Sequence, residues 1–265
     1  MGEAIVITSG KGGVGKTTTT ANIGTALALA GKKVCLVDTD IGLRNLDVVL
    51  GLENRIIYDL IDVIQGECRL KQAMVTDKRF EGLSMIAAAQ TKDKDAVKPE
   101  EMKKIVQELK EDFDYILIDC PAGIEQGFRN AIAGADHAVI VTTPDVSAVR
   151  DADRVIGLLE ASHITDPKLV VNRIRPKMVK HGEMLNVDEI VQVLAIDLLG
   201  IVPDDDNVIR AHNHGEPIVL NPKTKTAIAY RNIARRILGD QVPLMSLEEE
   251  EGALARFKKW FGMKA

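Results

Sequence analysis

The 265 residues are 46% hydrophobic and 28% charged, enough apolar material for one sizeable core, and no apolar run reaches the roughly 18 residues that a spanning helix needs. The three cysteines, Cys35, Cys68 and Cys120, are scattered without a C-x-x-C spacing, which argues against a zinc site or a disulfide framework. The net charge of −5 hides an asymmetry: from Gly252 onward there are four cations and no acid, and removing that +4 leaves −9 on the body, a balance that disfavours a general nucleic-acid surface.

Met1-Gly2-Glu3 lacks the basic start and apolar run of a signal peptide, so a cytoplasmic location is expected. Residues 4–8 form a β-branched run, and 16–30 a helix stopped by Gly31. Further strands are predicted at 33–37, 83–87, 115–118, 138–141, 168–171 and 198–202. Helices are predicted at 99–110, with Pro99 in its first turn, at 146–160, between the last two strands, and at 226–238. Near-continuous apolar strands alternating with helices predict an α/β fold: a mainly parallel, twisted sheet of about seven strands with helices on both faces. The expected organisation is one domain over 1–239, a linker over 240–252 and a tail over 253–265. Cys35 and Cys120 fall in or beside strands, where buried small side chains are the plain reading.

The strongest motif is Gly10-Lys11-Gly12-Gly13-Val14-Gly15-Lys16-Thr17. It fits G-x-x-x-x-G-K-[ST] between a strand and a helix, the pattern of a P-loop that cradles a nucleoside triphosphate. Glycines let backbone N–H groups close around phosphate oxygens, and the helix N-terminus adds positive charge. Lys16 is expected on the β- and γ-phosphates and Thr17 on Mg²⁺. Asp119 ends the strand at 115–118, where a carboxylate holds Mg²⁺ through water. Asp38 and Asp40 follow the strand at 33–37, and one of them is expected to orient the attacking water. The plainer reading of each aspartate is a helix N-cap or a turn residue.

The loop continues as Lys11-Gly12-Gly13-Val14-Gly15-Lys16-Thr17-Thr18, with a lysine directly after the first glycine. This resembles the deviant P-loop ATPases of the MinD/ParA family. Within that family, Val37-Asp38-Thr39-Asp40-Ile41-Gly42-Leu43-Arg44-Asn45-Leu46-Asp47 resembles the switch I segment of its MinD branch. Ile118-Asp119-Cys120-Pro121-Ala122-Gly123-Ile124 resembles switch II, with Cys120 where Ser is frequent. Residues 147–154, Val171-Asn172-Arg173 and Ile201-Val202-Pro203-Asp204 are similar too, so the resemblance covers essentially the whole chain.

The resemblance implies ATP and Mg²⁺ as cofactors and an ATP-dependent homodimer. In it Lys11 reaches the partner's phosphates, Asp40 positions water and Asn45 assists. Asn172, Pro203 and Asp204 surround the adenine. Arg150, Asp151 and Asp153 open a helix that lies in a partner-docking region, and the partners implied are a MinC-like division inhibitor and a topological regulator, MinE-like or other.

Phe257, Trp260 and Phe261 fall within five positions of a chain with nine aromatic residues, and Trp260 is its sole tryptophan. On a helix, Leu254, Phe257 and Phe261 share one side, with Trp260 at its edge, while Arg256, Lys258 and Lys259 point elsewhere. That pattern fits a helix lying in an anionic membrane interface. The expected function is therefore an ATP-switched peripheral membrane ATPase of division-site selection, on the inner face of the cell membrane. The alternatives are a DNA-partitioning ATPase and a redox or biosynthetic enzyme of the same fold.

Overall fold

The computed structural model describes residues 1–91 and 97–245. Most of the expected linker and the whole tail, with Leu254, Phe257, Trp260 and Phe261, lie outside the described residues.

Eight strands of the described residues form one sheet: β1 (Glu3–Thr8), β2 (Val34–Asp38), β3 (Met74–Thr76), β4 (Leu83–Ile86), β5 (Tyr115–Asp119), β6 (His137–Thr142), β7 (Lys168–Ile174) and β8 (Leu198–Pro203). Their order is β3-β4-β2-β5-β1-β6-β7-β8. Every pairing is parallel except that of β3 with β4. The sequence reading of about seven strands missed β3. Three residues at an antiparallel edge are too few to show a period of two.

Alternate residues of the central strands point to opposite faces. Val6, Ile116 and Ile118 join one buried cluster, and Ile7, Leu117 and Leu36 the other. The first face is covered by α5 (Pro99–Asp112), α6 (Gln126–Ile132), α7 (Val146–Ala161) and α9 (Val187–Leu194). The second is covered chiefly by α1 (Lys16–Leu29), α2 (Leu46–Leu50) and α11 (Lys225–Ile237). Short helices α3 (Leu60–Ile64), α4 (Leu70–Ala73), α8 (Pro176–Lys180) and α10 (Asn207–Asn213) fill the connections. Where one helix was expected between β7 and β8 there are two, α8 and α9.

After α11 the chain stays on the body as far as it is described. Arg236 donates to the carbonyls of Val242 (2.9 Å), Pro243 (2.7 Å) and Leu199 (2.9 Å). Arg235 pairs with Asp240 at 2.9 Å. No helix of the described residues is long and apolar enough to cross a membrane.

Candidate nucleotide site

The loop between β1 and α1 sits at the C-terminal edge of the parallel strands, where ligands of open α/β sheets bind. Helix α1 starts at Lys16 with no acid in its first turn and no side-chain cap. Its first N–H groups therefore remain available to an anion. Gly15, just before it, has φ +100°. A Cβ there would lie 2.4 Å from Asn172 Nδ2, and one on Gly10 would lie 2.2 Å from the Asp151 carbonyl oxygen. Both glycines thus let neighbouring elements press on the loop, in addition to shaping it. Lys16 is buried, and its ammonium donates to Ser9 Oγ at 3.0 Å. Ser9 Oγ in turn donates to the Lys11 carbonyl at 2.7 Å. Gly12 and Gly13 are exposed, Val14 is buried, and Thr17 and Thr18 are half-buried.

Two carboxylates stand beside the loop because β2 and β5 pair with Asp38 opposite Asp119. Both are buried. Burial, then the charge of Asp119, push Asp38 up to about 8, against N–H bonds from Asp40 (2.9 Å) and Leu46 (3.2 Å). Burial likewise pushes Asp119 up to about 6, against the Thr17 hydroxyl, the Lys16 charge and the Thr20 hydroxyl at 3.1 Å. A buried carboxylate paired with threonine hydroxyls is an all-oxygen donor set, which suits Mg²⁺.

Asp40 is half-buried, on the segment leading to α2. Asn45 is exposed at the N-cap of α2, and its side chain makes no capping bond. Cys120, after Asp119, is buried, and burial pushes its thiol up to about 12.

Lys11 lies on the outer lip of the loop. It donates to Ser147 Oγ at 2.7 Å and pairs with Asp145 at 3.4 Å. Asp145 is the N-cap of α7 and accepts from the Ala148 N–H at 2.9 Å. Partial burial would raise its carboxyl, but hydrogen bonds from Thr143, Ala148 and Ser147, with the charge of Lys11, hold it down at about 2. Helix α7 begins at Val146, so Arg150, Asp151 and Asp153 occupy its second turn and do not open it. Arg150 and Asp153 are exposed, while Asp151 is half-buried and its backbone backs Gly10. The sequence reading missed Ser9, Thr20, Asp145 and Ser147. Of these, only Asp145 carried a local signal, an acidic residue just before a predicted helix.

A cleft of about 250 Å³ opens on the other side of α1's N-terminus, lined by Gly15, Thr18, Asn172, Pro203 and Asp204 among others. The structure therefore brings together the three residues expected around the base. Asn172 is buried, and its Nδ2 donates to the Val14 carbonyl at 2.8 Å. Arg173 and Tyr230 also line the cleft and were missed. Arg173 sits at φ +57° beside an irregularity in the β7–β8 pairing, a strained backbone of the kind found at ligand clamps. Tyr230, on α11, is fully buried with its hydroxyl 3.4 Å from Thr19 Oγ1.

A glycine loop closing on a helix N-terminus, with an inward lysine and a buried carboxylate at the next strand end, defines a P-loop ATPase with ATP and Mg²⁺ as cofactors. A family model described as "ParA: NUBPL iron-transfer P-loop NTPase" agrees, matching residues 1–238. Among individual proteins, the septum site-determining protein MinD of Bacillus subtilis (strain 168) is 67% identical over 268 residues, covering 100% of both chains. Among solved structures, the MinC:MinD cell division protein complex of Aquifex aeolicus matches with TM-score 0.86 and 51% identity, over 93% of this chain and 100% of that one. The septum site-determining protein MinD of Pyrococcus horikoshii OT3, complexed with Mg-ADP, matches with TM-score 0.82 and 29% identity, over 91% and 100%. The chain belongs to the MinD family of septum site-determining ATPases.

Proposed function

We propose that this chain is an ATP-switched peripheral membrane ATPase that selects the division site. Its ATP-bound dimer holds two C-terminal tails on the inner face of the membrane and recruits a MinC-like inhibitor. Hydrolysis separates the dimer and releases it. The observation that carries the reading is the outward position of Lys11, which leaves its own loop for the N-terminus of α7 while Lys16 turns inward. A cation so placed is available to a second copy's phosphates and would complete the site only on dimerisation.

In this reading Lys16 and the loop from Gly10 to Thr18 hold the phosphates, Thr17 and Asp119 hold Mg²⁺, and Asn172, Pro203 and Asp204 hold the adenine. When bound, Mg²⁺ neutralises charge on the phosphates. Asp40, assisted by Asn45, orients the attacking water. The surface around Arg150 and Asp153 receives the inhibitor and a topological regulator. One short amphipathic tail binds lipid weakly, whereas two presented together gain effective concentration.

Trp260 reports the tail without a label. Its emission should shift to the blue on adding anionic vesicles, more with ATP than with ADP, and less at high salt. Emission that is already blue without lipid and ignores vesicles would mean that the tail packs on protein, and would remove the membrane reading.

A further inference from the structure

Arg79 lies in the turn between β3 and β4. Its guanidinium grips the buried Asp77 carboxylate twice, Nε to Oδ1 at 3.0 Å and Nη2 to Oδ2 at 2.7 Å. The remaining donors leave the turn. Nη1 donates to the Gly215 carbonyl at 3.0 Å, and Nη2 to the Leu50 carbonyl. Leu50 is the last residue of α2, and Gly215 follows α10 by two residues. One cation thus ties the last carbonyl of α2 to a carbonyl just beyond the end of α10.

The same two ends touch through backbone. Gly51 and Gly215 both have positive φ, +65° and +63°. A Cβ on Gly215 would lie 2.5 Å from Gly51 Cα, and one on Gly51 would lie 2.8 Å from the Gly215 carbonyl oxygen. No compressible side chain stands between the helices at this junction. Their opposite ends reach the nucleotide site. The first N–H of α2, from Leu46, is bonded to Asp38. Val208 and Ile209, in the first turn of α10, line the cleft assigned to the nucleoside.

We propose that Arg79 is a positioning residue that couples occupancy of the nucleoside cleft, through α10 and the Gly51–Gly215 contact, to α2 and the Asp38 end of switch I. The proposal rests on the assignment of that cleft to the base. It distinguishes a strut from an ordinary helix cap, because a cap stabilises both helices whatever ligand is bound. A strut makes α2 sense the base specifically. Lysine cannot substitute, since a point charge does not span an aspartate and two carbonyls in one plane.

Hydrogen exchange of the full chain, read by mass spectrometry in Mg²⁺ with saturating ADP or saturating inorganic diphosphate, tests it. In the wild type, residues 44–52 should exchange about fivefold more slowly with ADP than with diphosphate, the lower end of ordinary coupling between sites. In Arg79→Gln, Arg79→Lys and Gly215→Ala that difference should vanish, while ADP still protects residues 204–213 as in the wild type. A wild type in which ADP protects 204–213 but leaves 44–52 no slower than diphosphate does would overturn the strut alone. Persistence of the ADP-specific difference in the variants would do the same. A wild type in which ADP protects 204–213 no better than diphosphate would overturn the cleft assignment, and the strut with it. The wild-type measurement decides even if a variant fails to fold.

Discussion

Lys16 and Lys11 stand five positions apart on one loop in opposite surroundings. Lys16 is 8% exposed and tied to Ser9, within the loop itself. The Lys11 side chain is 44% exposed and tied to another element, Asp145 and Ser147 of the α7 N-terminus. An exposed ion pair is typically worth only about 0–1 kcal/mol. Lys11 can therefore exchange Asp145 for a phosphate at little cost, whereas Lys16 is committed to the floor of the site. In the function proposed, equal charges on one loop therefore serve different tasks: the inner one binds phosphate, and the outer one reports a second molecule.

The sharpest way to break that contrast is Lys16→Ala. Removing the inward cation should lower turnover by roughly 10³-fold and abolish tight ADP binding, since preorganised charge on the phosphates is the main catalytic term. Calorimetric titration with ADP checks it, and wild-type affinity would contradict the assignment.

Lys11→Ala should behave differently. ADP affinity should stay within about threefold, while ATP-dependent dimerisation is lost and turnover falls by roughly 10²-fold. Asp40→Ala is the complement: it should dimerise with ATP and persist, because binding survives and water positioning does not. Light scattering with ATP separates the two variants. An Asp40→Ala protein that hydrolyses at the wild-type rate would remove that residue from the mechanism.

The smallest expected effect concerns the carboxylates beside Lys16. Asp38 has its folded pKa raised, from an ordinary 3.8 to about 8. The stability it contributes is therefore fully present below about pH 4 and is lost as pH rises through about 8. In nucleotide-free protein with a chelator, Asp38→Asn should flatten the decline of melting temperature between pH 5 and pH 8. Wild type and variant declining in parallel would show that Asp38 does not carry the slope.

Legibility followed range along the chain. The glycine loop, Lys16, Thr17 and the strand-end aspartates were legible because their chemistry requires fixed spacing on one strand–turn–helix unit. Pro203 and Asp204 came only through resemblance, since no local pattern marks a residue that lines a cleft from a distant strand. Ser9 and Tyr230 were not legible at all. Ser9 is one small polar residue at a strand end, and Tyr230 lies on an amphipathic helix, where it reads as core. The edge strand β3 escaped for want of length, and the split of one expected helix into α8 and α9 escaped although Gly182, at φ +71°, and the Asn186–Glu189 capping box of α9 mark it in the sequence.

By itself, the sequence determined the parallel α/β sheet, the phosphate loop and the family. Apolar periodicity and glycine placement are local, and a helix N-terminus beside a glycine loop binds anions wherever it is placed. Tertiary structure alone decided the rest. The β2–β5 register set Asp38 opposite Asp119 in the buried sheet, and that burial raised both carboxyls. The packing of α7 on Gly10 gave Lys11 its resting partner. The meeting of Gly51 with Gly215 under Arg79 joined two helices whose nearest ends, Leu50 and Asn207, are 157 positions apart in sequence. Such contacts depend on which surfaces the sheet order brings face to face, and no window of neighbouring residues contains that order.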